Sequence, residues 1–491
     1  MKTFFFLRST VIIFFYLLPL FFFSNAQRVI TLEQALEEAE KNSPTMRQAR
    51  LQLEQNRQNL VAQRASLKSK FSLGVTPIAY GHQKNFNEHL GEWVTTENTS
   101  SMGTFSVVQP VKLTDGTISL QNNLKWQDSY SSYGGNQFKG FSNDLSLRIN
   151  QPVFTYNRTK MALKELELAY ENSQLYYAIQ MLSVEKMVTQ AFYTVHQAQQ
   201  DLEISREEYA NRKISFDIIQ NKVEAGLSAK EEAFQAELDL LTSESNLYNK
   251  EVHLENTRDN FKQMLGIPLD VELVVLAEIN VKTVKVDLKQ AIERGLSSRM
   301  ELKQRQIDIE EGLFRITEAK AFNEFKGDIS VNLGLFGENE KFPKIYETPV
   351  NNQDISVSFT IPIYDWGEKK ARMKAAQAAQ DIRVYNFEDE KINISLDIRK
   401  VVRELVNLQN QIIIAKKNEE NATRTYDINL EKYKNGDLTS MDLNLVQNQL
   451  TQQKQNLTNA LIQYKLGLLD LKIQTLYDYE KEIPVVEKLE K

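Results

Sequence analysis

The side chains that most often do chemistry in proteins are few and scattered in this chain of 491 residues. Cysteine is absent, which excludes disulfides, thiolate metal sites and a lipid attached to an N-terminal cysteine. Two of the four histidines, His82 and His89, fall in one predicted loop, and none forms a pair at metal-ligand spacing. There is no glycine-rich phosphate loop and no nucleophile motif. The sequence therefore predicts neither an enzyme nor a protein with a cofactor or a bound metal.

The net charge of the chain is negative, which affects the classes of partner that it can bind. The formal charge is −6, and removal of Lys2 and Arg8 with a predicted leader leaves 57 basic against 65 acidic residues, or −8. An acidic surface repels the phosphates of nucleic acid, so we expect no nucleic-acid partner.

Two long helical hairpins organise the chain, and the second repeats the first at a shift of 210 positions. Apolar residues recur at alternating steps of three and four, which is the seam of a coiled coil. The hairpins are predicted at 157–264 and 367–474. Gly226 and Gly436 stand at the same shift and should end the descending helices, because glycine tolerates the left-handed conformation. The predicted seams are Met181, Val184, Val188, Ala191, Val195, Ala198 and Leu202, then Ile394, Ile398, Val401, Leu405, Leu408, Ile412 and Ala415.

The regions before the hairpins also correspond, at a shift of 256, where the apolar pattern that follows Thr31 returns from Leu288 onwards. The sequence thus predicts two structural repeats, 27–280 and 281–480, and a C-terminal tail at 481–491. The two shifts differ by 256 − 210 = 46, so the first repeat carries about 46 additional residues between its strands.

Residues 1–26 are predicted to be a signal peptide. Their apolar run, 11–23, is too short to cross a bilayer as a helix, and small residues, Ser24 and Ala26, stand where a signal peptidase reads. An uncleaved membrane anchor is the alternative. No later stretch is long and apolar enough for a membrane helix, so insertion into a membrane would require strands.

Four stretches change from helical to alternating periodicity, at about 71–80, 143–154, 327–336 and 354–364. Each has about the length of a tilted transmembrane strand, although a soluble sheet with one buried face would alternate in the same way. All three tryptophans lie in or beside these stretches and none in the long helices. That placement favours strands in a membrane, whose barrels carry girdles of aromatic residues.

The additional segment of the first repeat contains a predicted inserted hairpin, at about 102–127, around a turn at Asp115 and Gly116. It could widen a barrel to six strands per chain or stand outside the barrel as an extracellular extension. We expect the extension, because helices of matched length suggest a circumference suited to four strands.

Together these features resemble the TolC family of outer-membrane efflux proteins over nearly all of residues 31–480. The resemblance rests on the order and duplication of the elements, on the strand-to-helix entries and on the hairpin tips. The entries are Gln151-Pro152-Val153-Phe154 and Ile361-Pro362-Ile363-Tyr364-Asp365, and the tips are Glu224-Ala225-Gly226-Leu227-Ser228 and Lys434-Asn435-Gly436-Asp437-Leu438-Thr439.

The resemblance implies a mostly α-helical fold with a transmembrane β-barrel contribution. Coiled-coil helical hairpins would form a periplasmic α-barrel, and about four main strands per chain would complete a trimeric 12-stranded barrel in the lipid of the outer membrane. The strands themselves require an oligomer, since four cannot close a barrel; two chains would give eight strands and three would give twelve.

The function that the resemblance implies is the exit duct of a tripartite efflux or type I secretion system. A homotrimer that is not a lipoprotein would span from the outer membrane into the periplasm. It would receive substrates from an inner-membrane transporter of the RND, ABC or MFS type and from a periplasmic adaptor. A coiled-coil scaffold without a pore is the alternative.

The resemblance also implies roles at the tips. A periplasmic gate would use Tyr433 and Asp442, and with leucine at 438 and 445, where the family pattern has charges, only one carboxylate ring is expected. Alternatively, Asp442 is an ordinary first-turn acid that favours its helix N-terminus. The implied tip and adaptor-docking residues are Gly226, Leu227, Ser228, Gly436, Asp437 and Leu438.

Overall fold

The computed structural model describes residues 28–485, except 90, 134, 136, 278 and 280. The predicted signal peptide and residues 486–491 of the predicted tail lie outside the described residues. The helices are α1 (Leu32–Asn42), α2 (Pro44–Ser66), α3 (Arg158–Glu224), α4 (Lys230–Leu265), α5 (Leu288–Ser298), α6 (Met300–Ala321), α7 (Glu368–Asn435) and α8 (Ser440–Thr475). None of these helices combines the length and the apolar composition needed to cross a membrane.

Helix lengths in the two halves of the chain correspond element by element. Helices α1 to α4 contain 11, 23, 67 and 36 residues, and α5 to α8 contain 11, 22, 68 and 36. At 1.5 Å per residue, α3 and α7 are each ~100 Å long. The predicted hairpins correspond to α3–α4 and α7–α8.

Six strands form one antiparallel sheet. They are β2 (Lys70–Asn87), β3 (Glu92–Val111), β4 (Gly116–Ser131), β5 (Gln137–Val153), β7 (Lys326–Asn339) and β8 (Val350–Thr360), and they follow one another in this order across the sheet. Two short pairs are separate from it: β1 (Arg28–Ile30) with β6 (Leu273–Val275), and β9 (Tyr477–Asp478) with β10 (Ile483–Pro484). β2 and β8 are the edges of the six-stranded sheet.

The inserted hairpin lies inside this sheet, and the expectation that it stands outside is wrong. β3 pairs with β2 from Lys70–Val108 to Asn87–Glu92. β4 pairs with β5 from Thr117–Asn150 to Tyr130–Gln137. β2 and β5 share no ladder, so the hairpin supplies the backbone partners of both. Matched helices do not limit the strand number, because residues 112–115 join β3 to β4 without adding a helix.

The four main strands and the inserted hairpin therefore share one sheet, and the expectation of four strands per chain in that sheet is corrected to six. The twelve-stranded trimer was based on four strands per chain, and the trimeric barrel itself stays a prediction. The four predicted strands are present, but their ends differ from the prediction. The observed strands are 70–87 for the predicted 71–80, 137–153 for 143–154, 326–339 for 327–336 and 350–360 for 354–364. The predicted hairpin at 102–127 extends over 92–131. Strands β2 to β5 continue into polar sequence that alternation of apolar residues does not mark.

The chain divides into two compact units. The first contains residues up to Ala39 together with 188–278. Inside it β1 and β6 pair in parallel, and Phe192 lies against Phe261 with 6.2 Å between ring centroids. Lys250 on α4 donates to Asp201 on α3 at 3.0 Å. Apolar contact and ion pairing thus hold the two arms of the first hairpin together within this unit.

The second unit contains residues 40–187 and 279–491, and with them the six-stranded sheet. Its hydrophobic core lies where α5, α7 and α8 meet. Tyr464, fully buried in that core, donates its hydroxyl to Lys282 O at 2.8 Å and accepts from Gln409 at 3.2 Å. These bonds fasten the segment before α5 to the second hairpin. The buried core residues are Ala291, Leu302, Ile394, Ile398, Val402, Leu405, Tyr464, Leu468 and Leu471.

The predicted seams are confirmed in both hairpins. Buried seam residues are Val184, Val188, Val195, Ala198 and Leu202 in the first and Ile394, Ile398, Leu405 and Ala415 in the second. The remaining positions of both seams are partly buried. The alternation of steps of three and four therefore identified the face that each helix buries.

Candidate functional site

The six-stranded sheet has one apolar and one polar face. Residues directly opposite each other in an antiparallel ladder point to the same side of a sheet, so the registers assign each side chain to a face. One row across the sheet reads Val107, Leu120, Leu147 and Leu333. The apolar face further contains Phe71, Leu73, Val75, Phe105, Ile118, Leu124, Leu145, Ile149, Ile329, Val331, Leu335, Ile355, Val357 and Phe359.

Large side chains on this apolar face are exposed at both edges of the sheet. On β2, Phe71 and Leu73 are 70% and 71% exposed, and on β8 Ile355 is 73% exposed. Isolated exposed apolar residues are normal, but a contiguous apolar face of this size marks contact with a membrane or a protein.

The opposite face of the sheet is polar. Along β5 it presents Asp144, Ser146, Arg148 and Asn150, the residues between those of the apolar face. Short polar contacts link neighbouring strands there: Ser330 donates to Asn150 Oδ1 at 3.0 Å, and the Ser72 and Ser106 hydroxyls lie 2.6 Å apart. Further polar side chains on this face are Ser119, Gln121, Asn123, Lys125, Asp328, Asn332, Asp354, Ser356 and Ser358.

Aromatic side chains border the apolar face at both ends. At the end next to the helices, Phe325 stacks on Phe359 at 5.7 Å and meets Phe154 at 5.3 Å between centroids. At the other end Phe141 contacts Phe342 at 5.5 Å. Between these two borders β5 carries about 12 residues, enough for a tilted strand to cross ~25 Å of hydrocarbon.

The turn of the inserted hairpin is bonded to the start of α3. Asp115, which has φ +62°, accepts from the backbone N–H of Thr159 at 2.9 Å and of Arg158 at 3.3 Å. Asn157 donates to the carbonyls of Lys112 and Leu113 at 2.8 and 3.0 Å. A side chain distant in sequence thus caps the long helix, satisfying donors that the first turn of a helix leaves unpaired.

A local cap performs the same task where β8 leads into α7. Asp365 accepts from the backbone N–H of Lys369 at 3.1 Å and of Gly367 at 2.9 Å. These two bonds lower the pKa of the Asp365 carboxyl below its ordinary value. Nearby, Tyr364 and Trp366 are exposed and contact each other at 4.8 Å between centroids.

The tip of the first hairpin is the turn predicted at Gly226. Gly226 has φ +74°, its N–H bonds to Val223 O at 3.0 Å, and Leu227 N bonds to Lys222 O at 2.8 Å. This pattern is a Schellman motif. Leu227 is 78% exposed, and the Ser228 hydroxyl donates to Glu232 at 2.6 Å.

The tip of the second hairpin repeats that geometry. Gly436 has φ +90°, and bonds run from Gly436 N to Tyr433 O at 3.2 Å and from Asp437 N to Lys432 O at 2.9 Å. Asp437 is exposed and Leu438 half-buried. Both predicted glycine tips are confirmed.

The two predicted gate residues are not equivalent in their surroundings. Tyr433 is buried, with 1% of its surface exposed. Asp442 lies in the first turn of α8, where the Thr439 hydroxyl donates to its Oδ2 at 2.7 Å and accepts from its N–H at 3.2 Å. Thr439 is thus the N-cap of α8, and Asp442 is an acid in its first turn, which is the geometry of the alternative interpretation. The gate itself stays a prediction.

Sequence reasoning missed several features of these regions. The cap from Asp115 to α3 joins residues more than 40 positions apart. The sequence indicated the turn at Asp115 and Gly116 but not its contact with the helix. Met441, 81% exposed beside the second tip, carries no motif. In the described part of the chain no group of three or more histidine, aspartate and glutamate side chains is arranged to hold a metal ion.

Comparison with known proteins places these features in context. The family model described as outer membrane efflux protein matches residues 117–267 and 329–472. The fold is similar to that of the Campylobacter jejuni CmeC outer membrane channel, with TM-score 0.70 and 15% identity over 94% of this chain and 88% of that chain.

Two further channels give comparable likeness. The outer membrane protein VceC of Vibrio cholerae has TM-score 0.65 and 14% identity over 90% of this chain and 94% of that chain. The open state of the Neisseria gonorrhoeae MtrE outer membrane channel has TM-score 0.64 and 12% identity over 90% and 88%. At such identities the likeness shows the fold. No curated protein matches the chain.

Proposed function

Because the chain belongs to the outer membrane efflux protein family, we propose that it is the exit duct of a tripartite efflux or type I secretion system. The observation that supports this proposal most strongly is the two-faced sheet. A sheet with one mainly apolar face and one polar face fits a wall between lipid and a water-filled lumen. A periplasmic scaffold without a pore has no use for such a sheet.

The sheet requires further copies of the chain. β2 and β8 each have one unpaired edge, and lipid offers no partner for backbone N–H and C=O groups. We propose a homotrimer in which β2 of each chain pairs with β8 of the next. The two edges run in opposite directions and carry apolar residues on the same face, so an antiparallel pair would continue both faces. Three chains of six strands would then close eighteen strands.

The width of the barrel follows from the strand number. Barrels of 16 to 18 strands leave an aqueous channel, whereas about eight strands are filled by their own side chains. In the proposed trimer the barrel would therefore not be the narrowest part of the path. Selection would fall to the helical end, where Tyr433 and Asp442 are the proposed gate.

Partners follow from the same proposal. An inner-membrane transporter of the RND, ABC or MFS type would supply the substrate, and a periplasmic adaptor would dock at the helical tips. At the first tip we propose Gly226, Leu227 and Ser228, where the exposed leucine offers apolar contact. At the second tip we propose Gly436, Asp437 and Leu438. Helical hairpins of an adaptor can enter grooves between such helices.

Adjacent residues of β5 allow a matched test of membrane insertion. Leu147 lies on the apolar face opposite Leu120 and Leu333, and Ser146 lies on the polar face. Leu147→Arg should reduce insertion into lipid vesicles strongly, since an arginine facing the bilayer centre costs ~2–4 kcal/mol. Ser146→Arg, the control, should insert normally.

The full chain in a planar bilayer completes this test. Discrete single-channel currents from the parent protein and from Ser146→Arg support the exit duct. A parent protein that needs no detergent for extraction and conducts no current would establish the scaffold instead. Equal insertion of the two arginine variants would show that the apolar face does not meet lipid.

A further inference from the structure

A cleft of ≈ 620 Å³ lies between the end of α6 and the first three turns of α7. Four lysines line it: Lys320 from α6, and Lys369, Lys370 and Lys374 from α7. The single carboxylate of the lining is Asp365, so the formal charge is 4 − 1 = +3. Ile316 and Met373 give the cleft an apolar part.

The four ammonium groups have no carboxylate partner among the described residues. Asp365 is committed to the backbone N–H groups of Gly367 and Lys369, and within the described residues none of the four lysines forms an ion pair. The adjacent Arg372, in contrast, bonds to Glu368 at 2.6 Å and lies over the Phe322 ring at 4.3 Å. Cations grouped around a cavity without an anion form a site for one.

The position of two of these lysines opposes a local rule of helix stability. Lys369 and Lys370 belong to the first turn of α7, where the helix dipole favours negative and disfavours positive charge. The same turn contains Glu368, but that carboxylate is bonded to Arg372, and Asp365 is bonded to backbone N–H groups, so neither is paired with these lysines. A bound anion would be favoured both by the ammonium groups and by the helix N-terminus, and departures from local rules are expected at functional sites.

The cleft lies where the apolar face of the sheet ends. β8 leaves that face at Phe359 and reaches α7 through residues 361–367, which include the exposed Ile363, Tyr364 and Trp366. Exposed aromatic residues of this kind mark the headgroup level of a bilayer, where lysines meet lipid phosphates. This step depends on the proposed function, since only a sheet in a membrane places the cleft beside lipid.

We propose that the cleft binds the phosphate of an anionic phospholipid of the outer membrane, with the lysines around the phosphate and Ile316 and Met373 against the apolar part of the lipid. The bound lipid would fasten the strand-to-helix junction of β8 and α7 to the membrane surface. A soluble phosphate ester shares the charged group but lacks the acyl chains, which separates the two sources by experiment.

The test uses the full-length protein in mild detergent, titrated with short-chain phosphatidylglycerol and observed by native mass spectrometry. Lys320→Gln, Lys370→Gln and Lys374→Gln together should weaken phosphatidylglycerol binding by about tenfold or more, because each lysine contributes to attraction of an anionic headgroup. The control triple variant removes the same charge from exposed lysines further along α7, and it should bind like the parent. Its substitutions are Lys400→Gln, Lys416→Gln and Lys432→Gln.

Phosphatidylcholine and glycerol phosphate complete the titration. Equal loss in the two triple variants would overturn the cleft as a site, because charge alone would then explain binding. Glycerol phosphate that binds as tightly as the lipid would overturn the lipid in favour of a soluble ester. The same spectra report the oligomer. A monomer that binds the lipid through the cleft would contradict the proposed trimer but support the cleft as a lipid-binding site.

Discussion

At the level of single residues, the proposed gate requires that Tyr433 and Asp442 do more than stabilise their own helices. Tyr433 is buried within one chain, so its ring would reach a channel axis only after a rearrangement of the second tip. Asp442 exchanges two hydrogen bonds with its N-cap Thr439, and a first-turn carboxylate can favour the helix N-terminus and still present charge to a pore. Capping and gating are therefore separable by substitution.

We expect Asp442→Asn to weaken cation selectivity in a planar bilayer, because a ring of three carboxylates attracts cations and repels anions. Thr439→Ala is the matched control: it removes the capping partner, costs about 0.5–2 kcal/mol of helix stability, and leaves the carboxylate in place. Together, Tyr433→Ala and Asp442→Ala should also raise the single-channel conductance. If Asp442→Asn keeps the selectivity of the parent protein, Asp442 is only a first-turn acid of α8, and Asp437 or Glu232 becomes the better candidate for the charged ring.

At the level of elements, the start of α3 shows how the inserted hairpin is built into the fold. Asp115 combines a positive φ with a cap on a helix that begins 43 residues later. We expect Asp115→Asn to be the mildest change, because asparagine tolerates the positive φ and its one amide oxygen can still accept from Thr159, although its NH2 group cannot accept from Arg158. Asp115→Gly should lose the cap alone, and Asp115→Ala should lose the cap and add backbone strain.

Hydrogen exchange at the amides of Arg158 and Thr159 measures this effect directly. Loss of the cap, worth about 0.5–2 kcal/mol, should accelerate exchange there by roughly 2- to 30-fold, in the order alanine, glycine, asparagine. Unchanged exchange in all three variants would mean that Asn157 holds the helix start without Asp115.

The sequence allowed the helices to be predicted well and the sheet only in part. Seam positions such as Val188 and Ile398, and the tips at Gly226 and Gly436, follow from local periodicity and from glycine conformation. The ends of the strands did not follow, because the outer parts of β2 and β3, around His82 and Glu97, pair through polar residues without an apolar alternation. The lysine cleft could not be predicted from the sequence either, because Lys320 and Lys374 line the same cleft only in the folded chain.

At the level of the whole molecule, the strand number changes what would limit transport in the proposed trimer. Eighteen strands would enclose a wider lumen than twelve, and a wider barrel would leave discrimination between substrates to the helical end and to the proposed transporter. The apolar and polar faces stay continuous around such a barrel only if β2 and β8 of neighbouring chains pair with their apolar residues on the same side.

The absence of cysteine makes that pairing directly measurable. Cysteines introduced at Leu73 and at Ile355 or Val357, all on the apolar face, should form a disulfide between neighbouring chains and give covalent trimers, because paired strands bring such Cα atoms within about 4.4–6.8 Å. Leu73→Cys combined with Ser356→Cys is the control, since those side chains point to opposite faces and should not cross-link. Denaturing electrophoresis after mild oxidation measures the cross-linked product.

Covalent trimers from same-face pairs would establish a barrel of three chains with six strands each. A trimer in native mass spectrometry that none of the same-face pairs can cross-link would instead require closure through other edges, and the eighteen-stranded barrel would be wrong.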